Sequence, residues 1–383
     1  VTLTANTSLG GSGNLTFSNV IDDGASDFSI TKVGAGTVTL SGSNTYSGKT
    51  VVNAGTLVIT RDAALGTPDL TSAVADSITL SGGGVLALST NDTTLNVNRG
   101  ITLGTSGGAL AAASSRTLTY GGVITGSTAL TIGASGYTGT VALSGSNTYS
   151  GGTTLAYGTL FLDSANAINS TGTITFNGGT LKFGANNNTD YSSRFSTVSS
   201  QAFNIDTNGV NVTLASAIAS ASGTLTKSGS GTLTLSGTNT YSGITTINAG
   251  TLSISADANL GTASVGSAVT NGITFNGGEL LATASFTLNS KRGITLSGAG
   301  TLSATAGTTL TYAGIITGSG GLTTGSSGNT GTVLLSGTST YTTDTTVAYG
   351  TLAVSGTGDS TYGPLGSTHP SYKTLYKPMG MSC

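Results

Sequence analysis

The sequence repeats itself on two scales, and this limits its possible folds more than any other feature. "NRGITL" at 98–103 returns as "KRGITL" at 291–296, "LTYGGVITG" at 118–126 as "LTYAGIITG" at 310–318, and "TLAYGTL" at 154–160 as "TVAYGTL" at 346–352. The offset is 192 or 193 residues each time, which reads as one unit written twice. A nonapeptide recurs faster: "LSGSNTYSG" at 40–48 and 143–151, "LSGTNTYSG" at 235–243, and a worn "LSGTSTYTT" at 335–343. The segment 180–222 matches its surroundings least and is expected to hold a longer loop.

Within the long unit, "GTLTLSGTNTYSGITTINAGTLSIS" parses as strand, corner, strand, corner, strand. Leu233 and Leu235 fall on one face and Leu252 and Ile254 on one face, with Thr and Ser between them. Such alternation buries one side of each strand and leaves the other in water. Corners such as "NAG" at 53–55 and 248–250 or "NGG" at 177–179 and 276–278 supply the residues that accept a left-handed backbone. Short strands and tight corners repeated along the chain predict an all-β fold, a β-solenoid with roughly 20–25 residues per coil. The expected boundaries are 1–356 for the solenoid and 357–383 for a non-repetitive C-terminal tail. A β-sandwich array is the rival, but it calls for domain-sized breaks that no Pro-rich linker marks.

Composition narrows the function. Charged residues make up 7% of the chain, against about 25% in an ordinary soluble domain. The net charge is −2 with no cluster of Lys and Arg, so nucleic acid is not an expected partner. No apolar run approaches the roughly 20 residues of a membrane helix, and no transmembrane segment is expected in this chain. The chain opens "VTLTANTSLG" without the pattern of a secretory leader. A single Cys rules out an internal disulfide framework.

The stretches "ITKVGAGTVTLSGSNTYSGKTVVNAGTLVIT" (30–60) and "LTKSGSGTLTLSGTNTYSGITTINAGTLSIS" (225–255) resemble the autotransporter-associated β-strand repeat, also called the passenger-associated transport repeat. The copies centred on 143 and 335 keep its centre and last strand. The resemblance implies a right-handed parallel β-helix, the passenger of a bacterial type V secreted protein, exported to the cell surface, with no catalytic residues in the repeat. The stretch "DSTYGPLGSTHPSYKTLYKPMGMSC" matches nothing in the repeat.

Sites for chemistry are sparse. Parallel β-helices that cleave polysaccharide need converging acids, or acids with a cation and a base. The one acidic cluster is "IDDGASD", so Asp22, Asp23 and Asp27 are the weak cation candidates, with a polar turn as the plainer reading. Asp62, Asp163, Asp190, Asp257 and Glu279 stand singly, mostly in corners, and pairing across coils stays open. His369 and Cys383 are the sole residues of their types and read as incidental, with an intermolecular disulfide or loss to processing left open for Cys383. Arg99, Lys291 and Arg292 read as a basic spot or, more plainly, as solvated corners. Thr-x-Thr steps fit an ice-binding face poorly, because the coils vary. No cofactor and no catalysis are expected.

The repeated peptide reads as a structural corner. Tyr46, Tyr149, Tyr241 and Tyr341 each cover one corner, with Asn44, Asn147 and Asn239 bonding the turn beneath, and Ser339 loosening the fourth. The tail, with Tyr362, Tyr372, Tyr376 and Cys383 as its contacts, either caps its own solenoid, joins a neighbouring subunit, or continues into a longer chain. The expected function is a non-catalytic extracellular bacterial structural element: a surface stalk, an adhesin-like passenger or a fibre subunit. Its expected partners are a second copy, head to tail, or cell-surface and matrix components. The alternative is a carbohydrate-binding or polysaccharide-cleaving β-helix.

Overall fold

A computed structural model describes residues 1–24, 26–68, 71–169, 171–263, 269–355 and 362–367. It divides into two compact units, residues 1–187 and 188–383. Each is a parallel β-solenoid in which the chain visits three sides in turn. In the first unit, side one runs from Thr7–Gly10 through Ile30–Val33, Thr50–Val52, Val74–Leu80 and Arg99–Leu103 to Ile124–Gly126, each strand parallel to the next. Side two is an eight-stranded sheet from Leu15–Phe17 to Ile174–Phe176. Side three begins at Thr93–Leu95 and continues through Thr117–Tyr120, Thr140–Leu143 and Thr159–Leu162 to Thr180–Phe183. The second unit repeats the plan, with sides that start at Ala202–Asp206, Val212–Leu214 and Phe286–Leu288.

The alternation read from the sequence becomes stacked columns. On side two of the first unit, Val38, Leu57, Leu86, Leu110, Ile132, Leu155 and Phe176 pair in register, and all are buried. Each fully buried aliphatic side chain contributes roughly 1.5–3 kcal/mol before the entropy of ordering its coil. The corresponding column of the second unit is Val212, Leu233, Leu252, Leu280, Leu302, Thr324 and Val347. A threonine thus stands inside an aliphatic stack, and its Oγ1 is buried with no hydrogen-bond partner.

The segment 180–222, expected to hold a longer loop, has no strand among its described residues between Thr180–Phe183 and Ala202–Asp206. It holds the 3-10 turn Ser192–Arg194 and the strands Ala202–Asp206 and Val212–Leu214. The rhythm resumes with these strands, Phe203 pairing in register with Leu225 and stacking on Phe195.

Candidate functional site: the repeated corners

The first copy of the nonapeptide connects Thr37–Leu40 on side two to Thr50–Val52 on side one, and so occupies side three. The second connects Thr140–Leu143 on side three to Thr153–Leu155 on side two, and so occupies side one. Between the two, side-two strands recur at 56, 84, 108 and 130, so the copies lie four coils and one side apart. The second unit repeats this, with 235–243 on its third side and 335–343 on its first. Tyr46 and Tyr149 therefore face different sides and form no shared aromatic surface, as do Tyr241 and Tyr341.

Each corner is closed from within. All four tyrosines are fully buried. Their hydroxyls meet the Oγ1 of Thr50, Thr153, Thr245 and Thr345 at 2.7, 2.7, 2.8 and 2.5 Å. Burial pushes the phenols of Tyr46, Tyr241 and Tyr341 up to about 12. The asparagines do more than brace their own turn, because each bridges three successive coils. Asn44 Oδ1 accepts from Ile21 N at 2.8 Å in the preceding coil, and its Nδ2 donates to Ala64 O at 2.7 Å in the following one. Asn147 does the same with Ile124 and Ala167 at 2.7 and 2.6 Å, and Asn239 with Ile218 and Asn259 at 2.7 and 2.5 Å. Ser339 keeps a single side-chain bond, accepting from Ile316 N at 3.3 Å.

Sequence reasoning overlooked two buried cations. Lys32 and Lys227, in "ITK" and "LTK", point inward and are fully buried. Lys32 Nζ donates to the carbonyls of Val33, Gly34 and Ala54 at 2.9, 2.7 and 3.0 Å. Lys227 Nζ donates to Ser228, Gly229 and Ala249 at 3.0, 2.7 and 3.0 Å. Each ammonium stitches its own turn to the "NAG" corner of the next coil. A Cβ on Gly55 would stand 2.5 Å from two carbonyl oxygens and 2.7 Å from the Lys32 ammonium, at a φ of 63°. That is why the corner ends in glycine. Burial pushes the Lys227 ammonium down to about 8, with the Asp206 carboxylate opposing it. Burial lowers Lys32 as well. The signal in the sequence was a lysine on the inward phase of a strand, paired with "NAG" about twenty residues on.

The arginines read as solvated corners are also interior. Arg99 is 2% exposed and pairs with Asp62, Nε to Oδ1 at 2.9 Å and Nη2 to Oδ2 at 3.2 Å. It also donates to Leu65 O at 3.1 Å and Gly66 O at 2.6 Å. Arg292 repeats this with Asp257 at 2.8 and 3.1 Å, Leu260 at 2.9 Å and Gly261 at 2.6 Å. A guanidinium presents several donors in a fixed fork, which suits it to clamp a 3-10 turn bristling with carbonyls. Lone acids and lone bases in the sequence thus become pairs spanning 35 or 37 residues.

The three cation candidates have separate tasks. Asp23 is buried and accepts from Phe28 N at 3.1 Å and from the amide and hydroxyl of Ser47, both at 2.9 Å. Burial pushes this carboxyl up, but the bonds from Ser47 and Phe28 outweigh it and hold the group below the usual carboxylate range. Asp22 accepts from Thr2 Oγ1 at 3.2 Å and Gly24 N at 3.3 Å. Asp27 lines an open cleft of about 360 Å³ with Ser47, Lys49, Pro68, Val74 and Ser77. Among the described residues no three acidic, His or Cys side chains gather as metal ligands. Glu279 accepts hydrogen bonds from the hydroxyls of Thr251, Ser303 and Ser326. Tyr362 lies in a short hairpin, Tyr362–Gly363 against Gly366–Ser367. His369, Tyr372, Tyr376 and Cys383 lie outside the described residues.

Stacked coils whose corners are closed by internal bonds define a β-solenoid repeat protein. The model of the passenger-associated-transport-repeat matches it at residues 30–59, 137–162 and 225–254. The repeats and the solenoid fit a passenger-like protein of the autotransporter kind. Neither a curated protein nor a solved structure matches the chain.

Proposed function

We propose that this chain is a non-catalytic structural element working outside a bacterial cell: a surface stalk, an adhesin-like passenger, or a subunit of a fibre built by end-to-end stacking. The observation that carries this reading is how the ionic groups are used. Lys32, Lys227, Arg99, Arg292, Asp62 and Asp257 are bound within and between coils. A chain with so few charges that commits these to holding its coils together is built to persist as a scaffold. The repeat type adds export to the reading, since passenger repeats belong to proteins delivered to the cell surface or beyond it.

The test is protease accessibility and antibody labelling of the source bacterium, intact and permeabilised. Labelling of intact cells, or recovery of the chain from the medium, is the expected result. Labelling that appears only after permeabilisation overturns the proposal.

A further inference from the structure

The tail carries a trace of the repeat that its overall sequence hides. In three corners the amide of the Asn position donates to the carbonyl of the following coil: Asn44 N to Ala63 O at 2.9 Å, Asn147 N to Asn166 O at 3.1 Å, and Asn239 N to Ala258 O at 3.0 Å. In the fourth corner Ser339 N donates to Gly363 O at 2.9 Å. Gly363 belongs to the tail hairpin, which bridges Ser339 in antiparallel fashion. The sequence follows in step: "ALG" at 64–66 and "NLG" at 259–261 correspond to "PLG" at 364–366. The closing glycines share a left-handed backbone, with φ of 74°, 73° and 82° at Gly66, Gly261 and Gly366. Residues 363–366 thus occupy the place where a following coil would sit.

Among the described residues, the fourth corner grips them through the Ser339 amide. An internal corner grips the next coil twice, through the backbone amide and through the Asn Nδ2. Ser339 is too short to supply the second grip. The neighbouring strand, Thr351–Val354, lies at the edge of its sheet, and Val354 is 52% exposed.

We propose that residues 362–367 are a releasable cap on the second unit. Their departure bares the fourth corner, which together with the edge strand Thr351–Val354 accepts a coil from a second copy of this chain. Whatever replaces the cap must offer a carbonyl to Ser339 N and a parallel strand to Thr351–Val354. Coils of this chain meet both demands, because each already stacks on its neighbour in that way. The inference rests on the end-to-end assembly within the function proposed above, and it adds that the tail governs when assembly occurs.

Three variants of the full chain test it. Gly366→Val places a β-branched residue at a left-handed φ and breaks the hairpin while leaving the coils intact. Ser339→Asn restores the missing amide, which has the Pro364 carbonyl within its pattern of partners. The third ends at Ser355. Association is read by light scattering and sedimentation, and folding by circular dichroism. Amide exchange at residue 339 in the full chain and in Ser339→Asn reads how often the cap opens.

Gly366→Val and the shortened chain should associate at concentrations at least tenfold below those the unaltered chain needs, and Ser339→Asn should require higher ones. The amide of Ser339 should exchange at least tenfold faster than those of Asn44, Asn147 and Asn239, and slow in Ser339→Asn. If the unaltered chain associates as readily as the shortened one, the cap is no barrier and is refuted, while end-to-end assembly survives. If folded chains of all kinds stay monomeric, the cap and end-to-end assembly fail together, and surface display remains testable by labelling of intact cells.

Discussion

The buried Arg99–Asp62 pair gives the sharpest test of how these coils are held. Asp62→Ala removes the carboxylate and leaves a guanidinium that is 2% exposed without its counter-charge. Breaking a buried pair in this way costs about 3–5 kcal/mol. Arg99→Met takes away the charge and keeps an apolar stem. The carboxylate it abandons is 26% exposed and regains water, but the carbonyls of Leu65 and Gly66 lose their donors. That costs about 1–3 kcal/mol. Asp62→Ala should therefore be the worse substitution, although it deletes the smaller side chain. Adding Arg99→Met to Asp62→Ala should recover about 1–4 kcal/mol, since the uncompensated charge is gone.

The assay is thermal and denaturant unfolding, with amide exchange of residues 62–66 to assign the change to the first unit. For a unit of this size each kcal/mol moves the midpoint by about 2–4 °C, so Asp62→Ala should lower it by about 6–20 °C. Asp257→Ala should do the same to the second unit and leave the first unchanged. A loss under about 1 kcal/mol for Asp62→Ala, or a double variant weaker than Asp62→Ala alone, refutes the reasoning.

Thr324→Val removes a buried hydroxyl that has no partner and should stabilise the second unit by about 1–3 kcal/mol; a lower melting point contradicts this. Asn239→Ser copies the fourth corner into the third and deprives Asn259 O of its donor, costing about 1–3 kcal/mol by denaturant titration. Lys227 sits at about 8 in the folded chain against an ordinary 10.5. Between those values the unfolded chain holds the extra proton, so the second unit should gain stability as pH rises from about 8 towards 10. Lys227→Met should abolish that rise. Above pH 10 the curve should fall, because Tyr241 and Tyr341 resist ionisation until about 12 in the folded chain and ionise earlier once unfolded.

Most of the architecture was legible because most solenoid strands alternate, as in Thr37–Leu40 and Thr232–Leu235. A period of two marks the inward side chains whatever lies in the next coil, so Leu57, Leu160 and Leu252 announce their strands locally. The burial of Val58, Ala87 and Ala111 on the outward phase comes from packing that the period does not show. The repeats likewise made the coil and the family readable before any contact was known. What stayed hidden depends on which residues lie one or two coils apart. Arg99 looks solvated beside "NRG", and only stacking carries it to Asp62 and the Leu65 carbonyl. Lys32 looks like a polar residue of a strand end, and only the next coil's "NAG" corner gives its ammonium enough acceptors to be buried. "PLG" in the tail is too short to stand out until Gly363 is seen on the fourth corner.

The sequence by itself determined the coil, its inward columns and its repeat, since these follow from backbone geometry and local turn chemistry. The tertiary structure alone decided where the charges go, which side each tyrosine corner faces and what covers the last one. Those are settled by coil length and stacking register, which add up over many residues and leave no local mark.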